Sequence, residues 1–271
     1  MKNLLAIDFY KLFRTKSFYV ISAILLALTV FSSAIVCSGF LRTYEENLLN
    51  FGNTVGLGSM LGIAWNIVFS NFSNIGIFIA IMSILFTCSE FSFGTIKNIA
   101  SKGYKRAEIY LSKFLSSAVC LGIYFVITFV ASLITCVVVV GNKIPDFFKL
   151  PSHAFLPLLF VFVFLLVDIS LAIMISSLVR SSGQSIAAYI VPTMISSILL
   201  NIIDVNLFGN TLKIDFRLSD YVYTSCLSEV LKFGFGTAMS HSDVVRYSFV
   251  AIGFLLVTMI IGIHFFKKRD I

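Results

Sequence analysis

Six long apolar stretches divide this sequence, and most of its charged residues lie in the segments between them. A helix needs roughly 20 apolar residues to cross the hydrocarbon core of a bilayer. The stretches have about that length or more, and they lack the alternation expected of barrel strands. The pattern therefore predicts an all-α integral membrane protein with six transmembrane helices. The stretches cover approximately residues 17–39, 61–88, 114–140, 154–179, 185–203 and 247–266.

The composition supports a membrane protein over a soluble one. Of the 271 residues, 58% are hydrophobic and 12% are charged, whereas soluble domains carry about 25% charged residues. The formal net charge of +7 fits the excess of Lys and Arg on the cytoplasmic side of membrane proteins, so nucleic acid is not expected as a partner.

The distribution of basic residues predicts the orientation. Thirteen of the 20 Lys and Arg residues lie at the two termini and in the segments after the second and fourth stretches. The positive-inside rule places these regions in the cytoplasm. An even number of spans agrees with both termini being cytoplasmic.

The amino-terminal segment 1–16 is predicted to form an amphipathic helix in the membrane interface. The alternative is a charged flank that only sets topology. In the predicted helix Asp8 lies on a polar face, and Leu4 is an exception to the pattern. The two faces are Leu5, Ala6, Phe9, Tyr10, Leu12 and Phe13 on the apolar side, and Asp8, Lys11, Arg14 and Thr15 on the polar side.

Two loops stand out by their length. In the inner segment 89–113, Gly94 and Gly103 bracket Ile96 and Ile99 at helical spacing. This pattern predicts a helix of about two turns suited to docking in a partner's groove, unless the segment is an ordinary basic loop. The outer segment 204–246 is partly apolar, and short re-entrant helices are expected within it.

The inner segment contains a recognisable set of residues: Glu90, Gly94, Thr95, Ile96, Lys97, Ser101, Lys102, Gly103, Arg106 and Lys113. This set resembles the signature of ABC-2 type permeases, the membrane subunits of ATP-driven exporters. The start of the chain and the order of its elements are also similar to this family along nearly the whole length. In length and loop style the chain is most similar to permeases of bacitracin-type and lantibiotic-immunity exporters of Gram-positive bacteria.

The resemblance implies a single transmembrane domain over 1–271 in a bacterial cell membrane. Residues 94–102 would form a coupling helix that fits into a separate cytoplasmic ABC ATPase. Glu90 would pair with Arg106 or with a neighbouring basic group. A second permease chain, identical or paralogous, would complete an exporter of a peptide antibiotic or another amphipathic molecule, and so confer antimicrobial peptide resistance. The implied coupling residues are Glu90, Gly94, Thr95, Ile96, Lys97, Ile99, Ser101 and Arg106.

Asp168 lies midway along the fourth stretch, where an acid costs about 2.5–3.5 kcal/mol on insertion scales. It is a candidate for contacting a cation or substrate in the transport path. The alternative is a hydrogen-bonded or protonated helix-packing residue, for example with a Ser or Thr of another span as its partner. The first interpretation leads to an alternative function, a stand-alone secondary transporter or channel using Asp168. A membrane scaffold or sensor subunit is a third possibility.

The sequence lacks the motifs of an enzyme. No G-x-x-x-x-G-K-[ST] phosphate loop occurs, so ATP is expected to be bound by the partner subunit and not by this chain. No catalytic residue and no resident cofactor are predicted. The three histidines are far apart and no C-x-x-C occurs, so a metal site is not expected.

Overall fold

The computed structural model describes residues 2–51, 63–141, 155–179, 181–206, 217–232 and 239–268. Every regular element in these ranges is helical, which confirms the predicted all-α class. A short 3-10 helix, Leu218–Tyr221, precedes the eighth α-helix. The α-helices are α1 Lys2–Arg14, α2 Lys16–Phe51, α3 Ile63–Ser92, α4 Thr95–Ser101, α5 Arg106–Val140, α6 Phe155–Leu178, α7 Ser182–Ile203, α8 Tyr223–Lys232 and α9 His241–Lys268.

Six of these helices, α2, α3, α5, α6, α7 and α9, are long and apolar enough to cross a membrane. They correspond to the six predicted stretches. Several extend past the apolar residues, since helical hydrogen bonding continues where side chains become polar; α5 begins at Arg106 instead of at residue 114. The predicted starts at residues 61 and 154 lie outside the described ranges, as do parts of the outer segment 204–246.

The centre of the bundle is formed by α3 and α6, which are the most buried spans, whereas α7 is the most exposed. The main packing partners are α6 with α9, α6 with α3, and α5 with both α2 and α3. Stacked and edge-on aromatic rings fill these contacts, such as Phe72 against Phe125 at 4.2 Å between ring centroids. The core therefore runs along the middle of the helical bundle.

Asn71 of α3 joins three spans through its amide group. Its Nδ2 donates to the hydroxyls of Ser33 at 2.8 Å and Ser132 at 3.0 Å, and Ser32 donates to its Oδ1 at 2.6 Å. Such bonds in a bilayer contribute about 0.6 kcal/mol each on average. They fix the heights of α2, α3 and α5 relative to one another.

The ends of α5 and α9 next to α4 approach very closely. A Cβ atom at Gly262 would lie 2.6 Å from Cζ of Tyr110 and would overlap its hydroxyl. Tyr110 is fully buried there, and its ring packs against Phe266 with centroids 5.9 Å apart. Glycine at residue 262 is therefore what allows the two helices to meet at this end of the bundle.

The helix α8 packs along the spans instead of projecting away from them. At its start, the ring of Tyr223 lies 5.4 Å from that of Phe254, which is 13 residues into α9 and so about 20 Å along that helix. Near its other end, Glu229 pairs with Arg246 at 2.9 Å. One end of α8 thus reaches the middle of the bundle.

Candidate functional site

The short helix α4 is delimited by two glycines with left-handed backbone conformations. Gly94 has φ of +64° and Gly103 has φ of +85°, a region in which residues with a Cβ are strained. The chain turns sharply out of α3 at the first glycine and leaves α4 at the second. The observed helix, Thr95–Ser101, lies within the predicted segment 94–102.

One side of α4 is anchored in the bundle. Ile96 and Ile99 are 1% and 8% exposed and belong to the main hydrophobic core. The Thr95 hydroxyl donates to the main-chain carbonyl of Glu90 at 3.3 Å, at the end of α3. Ser101, at the end of α4, is exposed. The helix is thus attached to α3 while part of its surface stays accessible.

Next to α4 lies a group of four charged side chains, Asp8, Lys11, Glu90 and Lys113, which we term the buried charge cluster. The ammonium of Lys113 is 2.5 Å from Oδ1 of Asp8 and 2.6 Å from Oε2 of Glu90. Lys11 Nζ is 3.1 Å from Oε1 of Glu90. The cluster therefore joins α1, the end of α3 and the beginning of α5.

The charges in the cluster balance, with two carboxylates and two ammonium groups. Only 2% of the Lys113 side chain is exposed, and its ammonium also lies 4.7 Å from the centre of the Phe86 ring. Ser112 donates a further hydrogen bond to Asp8. Taking charges out of water costs several kcal/mol per ion, so each charge in such a site depends on its partners.

The predicted faces of α1 need correction. Asp8 is fully buried, together with Leu4 and Leu12 one turn to either side, so the assignment of Asp8 to an exposed polar face is wrong. Tyr10 and Phe13, assigned to the apolar face, are 64% and 40% exposed, so that face points away from the bundle, as expected of a surface that contacts lipid. The reason is that α1 packs on α5 along its Leu4–Asp8–Leu12 stripe, where Lys113 neutralises the carboxylate.

Within the described ranges Glu90 pairs with Lys11 and Lys113, and no ion pair joins it to Arg106 there. The Arg106 guanidinium donates to the main-chain carbonyl of Lys267 at 2.5 Å, where the last carbonyls of a helix lack partners of their own. Glu90 instead uses its other proposed partners, neighbouring basic groups. Arg106 therefore holds the end of α9 against α5.

The structure thus gathers most of the predicted coupling residues at one end of the bundle. Glu90, Thr95, Ile96 and Ile99 are in contact or share the same core. The side chain of Lys97 lies outside the described part of the chain. The sequence did not predict that Asp8 and Lys113 are buried. For Asp8, the signal that could have indicated burial is its position between Leu4 and Leu12 at helical spacing.

Asp168 lies apart from α4, deep in α6, and is 4% exposed. The Tyr189 hydroxyl of α7 donates to its Oδ1 at 2.8 Å. Its Oδ2 faces Gly76 of α3, where an added Cβ would be only 2.9 Å away. Tyr223 of α8 lies beside the same carboxylate. The partner is therefore a tyrosine and not the expected Ser or Thr.

No group of three or more His, Cys, Asp or Glu side chains is positioned to hold a metal ion within the described ranges. A comparison with curated proteins finds no match. The family model described as ABC-2 family transporter protein matches residues 3–271, which include all the elements described above except the first residue of α1. With six candidate spans and a short helix anchored between the second and the third, this chain belongs to the ABC-2 family of membrane transport proteins.

Proposed function

We propose that this chain is the membrane-spanning permease subunit of an ATP-driven exporter, and that a separate cytoplasmic ATPase docks on α4. The observation that carries the proposal is the attachment of α4. Its isoleucines are buried in the core and Thr95 is bonded to the end of α3, so a push on α4 is passed to a membrane span. The distribution of basic residues supports placing α4 and both termini in the cytoplasm.

The buried charge cluster extends this connection to other helices. Glu90 ends α3 next to α4, and Lys113 ties that carboxylate to α5 and to Asp8 of α1. A displacement of α4 therefore moves α1, α3 and α5 together. Binding of ATP by the partner would drive this displacement, and substrate affinity would differ between the two arrangements of the spans.

The substrate is proposed to be a peptide antibiotic or another amphipathic molecule, exported across a bacterial cell membrane. The resemblance to bacitracin-type and lantibiotic-immunity permeases supports this choice. Exposed apolar side chains along α2, α7 and α9 also support it, because lipid-facing surfaces let a membrane-dissolved molecule reach the bundle from the side. A second permease chain, identical or paralogous, would complete the path.

The test of this function is a pull-down of the tagged chain from its native membranes, with the co-purifying polypeptides identified. We expect a soluble protein with a phosphate-loop motif in roughly stoichiometric amount. Vanadate or a non-hydrolysable ATP analogue should abolish transport in the reconstituted complex. Isolation of the chain alone under mild conditions, with transport that continues without ATP, would overturn the proposal.

The second candidate function is a stand-alone secondary transporter or channel using Asp168, because the structure contains this buried acid. Its contacts with Tyr189 and Gly76 favour a packing role. We therefore expect Asp168→Asn, which can still accept the tyrosine hydrogen bond, to retain ATP-dependent transport within about twofold. Asp168→Leu leaves the Tyr189 hydroxyl unpaired and should destabilise the protein by about 1–3 kcal/mol.

Transport and thermal stability measured on both variants distinguish the two roles. An acid that couples transport to an ion needs its carboxylate charge to bind the cation or the proton, so the neutral Asp168→Asn protein would then fold normally and lose transport. That result would favour the second candidate.

A further inference from the structure

A groove of about 360 Å³ lies beside the buried charge cluster, between α1 and the segment that connects α3 to α4. Glu90 and Thr95 on one side of the groove belong to the features described above, whereas Tyr10, Arg14 and Phe93 take no part in them. The groove contains both aromatic and basic side chains. The residues that line it are Tyr10, Lys11, Arg14, Thr15, Phe86, Ser89, Glu90, Phe93 and Thr95.

Three aromatic side chains line the groove, and two of them are open to the surface. Phe93 is 80% exposed and Tyr10 is 64% exposed, while Phe86 is buried at the base. The groove lies at the level where α1 ends and the span α2 begins, at Lys16. Aromatic side chains at this level are suited to contact the part of a lipid where the polar head group joins the acyl chains.

The charge on the groove is positive at its mouth. Lys11 and Glu90 neutralise each other within the cluster. Arg14 is exposed, and in the described part of the chain its contacts are with Tyr10, a hydroxyl at 2.6 Å and a ring centre at 5.7 Å. Both contacts are neutral, so the guanidinium keeps its full charge and most of its donors. Lys16, also exposed, adds a second positive charge nearby.

We propose that this groove binds one anionic phospholipid of the adjacent leaflet, with the phosphate at Arg14 and the start of an acyl chain against Phe93 and Tyr10. Arginine suits phosphate because its planar fork can donate two hydrogen bonds. The positive mouth disfavours lipids whose head group carries a cation. A soluble phosphate would leave the aromatic walls unused. Since Glu90 and Thr95 also line the groove, the lipid sits against the base of α4 and braces it.

The test uses the full chain, reconstituted in nanodiscs of phosphatidylcholine with a minor fraction of phosphatidylglycerol. Phosphatidylglycerol that stays bound after transfer to mild detergent is counted by native mass spectrometry. We expect Arg14→Gln to reduce it about fivefold, the effect of one basic group near a membrane surface. Phe93→Ala should also reduce it. Lys105→Gln is the matched control, because Lys105 is exposed at the same end of the bundle but does not line the groove.

Each outcome decides the proposal. Selective loss in Arg14→Gln and Phe93→Ala, with rescue by Arg14→Lys, supports it. An equal loss in Lys105→Gln would mean diffuse attraction to the membrane surface, and displacement of the lipid by glycerol phosphate would mean a soluble ligand; either overturns it. Unchanged binding in all variants also overturns it. Phe93 lies outside the core, so its variant keeps the test decisive if Arg14→Gln does not insert. The measurement needs no ATPase and is independent of the proposed function.

Discussion

Replacing Lys113 with methionine should lower the free energy of unfolding by about 3–5 kcal/mol, the cost of breaking a buried ion pair from one side. Methionine has a similar volume but leaves the carboxylates of Asp8 and Glu90 without their shared cation. Both carboxylates are almost fully buried, so neither can be solvated in place. Reversible unfolding of the purified protein in bicelles, for example by steric trapping, measures the loss.

Lys11→Met is the matched control for this prediction. Lys11 contacts the same Glu90 carboxylate, but 31% of its side chain is exposed, so its loss should cost about 1 kcal/mol or less. The triple variant Asp8→Asn, Glu90→Gln and Lys113→Met removes the three buried charges together, leaves only the partly exposed Lys11 charged, and should recover much of the stability. Equal costs for Lys113→Met and Lys11→Met would show that the buried charge cluster does not hold the three helices together.

Placing proline at Asn98 should reduce ATP-dependent transport at least tenfold, while insertion into the membrane stays normal. Asn98 is in the middle of α4, where proline removes a helical hydrogen bond and clashes with the preceding turn, at a cost of about 3 kcal/mol. A helix of seven residues has little stability of its own to offset that cost. The spans do not depend on α4 for their hydrogen bonds, so the protein should still reach the membrane.

Transport is measured in vesicles that contain the permease and its ATPase, and the amount of inserted protein is measured by immunoblot. Asn98→Ala serves as the control, because alanine favours the helix. It should transport like the unmodified protein. Full transport by the proline variant would remove the segment 89–113 from the mechanism.

Local pattern was sufficient to predict the spans and the short helix α4. The length of each apolar stretch determines whether a helix can cross the bilayer, and Gly94 and Gly103 mark the ends of α4 through their backbone conformations. Both signals lie within one continuous segment of the chain. The helical ends were less predictable, as the start of α5 at Arg106 shows.

Contacts between distant segments could not be predicted in the same way. Asp8 and Lys113 are 105 residues apart in sequence, and the hydrophobic periodicity of α1 or of α5 does not indicate that the two side chains are in contact. A helical-wheel projection of α1 shows two apolar surfaces. Which of them faces the protein and which faces lipid depends on the position of α5. The choice of Tyr189 as the partner of Asp168 is likewise a matter of tertiary packing.

The Asn71 amide bonds have a consequence for how the bundle can rearrange. Sliding α3 past α2 would break two of its hydrogen bonds, and sliding it past α5 would break one, so these three helices are expected to move as one block. Ser170 and Thr258, 2.6 Å apart, link α6 to α9 in a second block. Shear between packed helices is then concentrated where the blocks meet, along α3 and α6. Gly76 has no side chain to obstruct such a movement, and the contact between Gly76 and the carboxylate of Asp168 would change with the displacement.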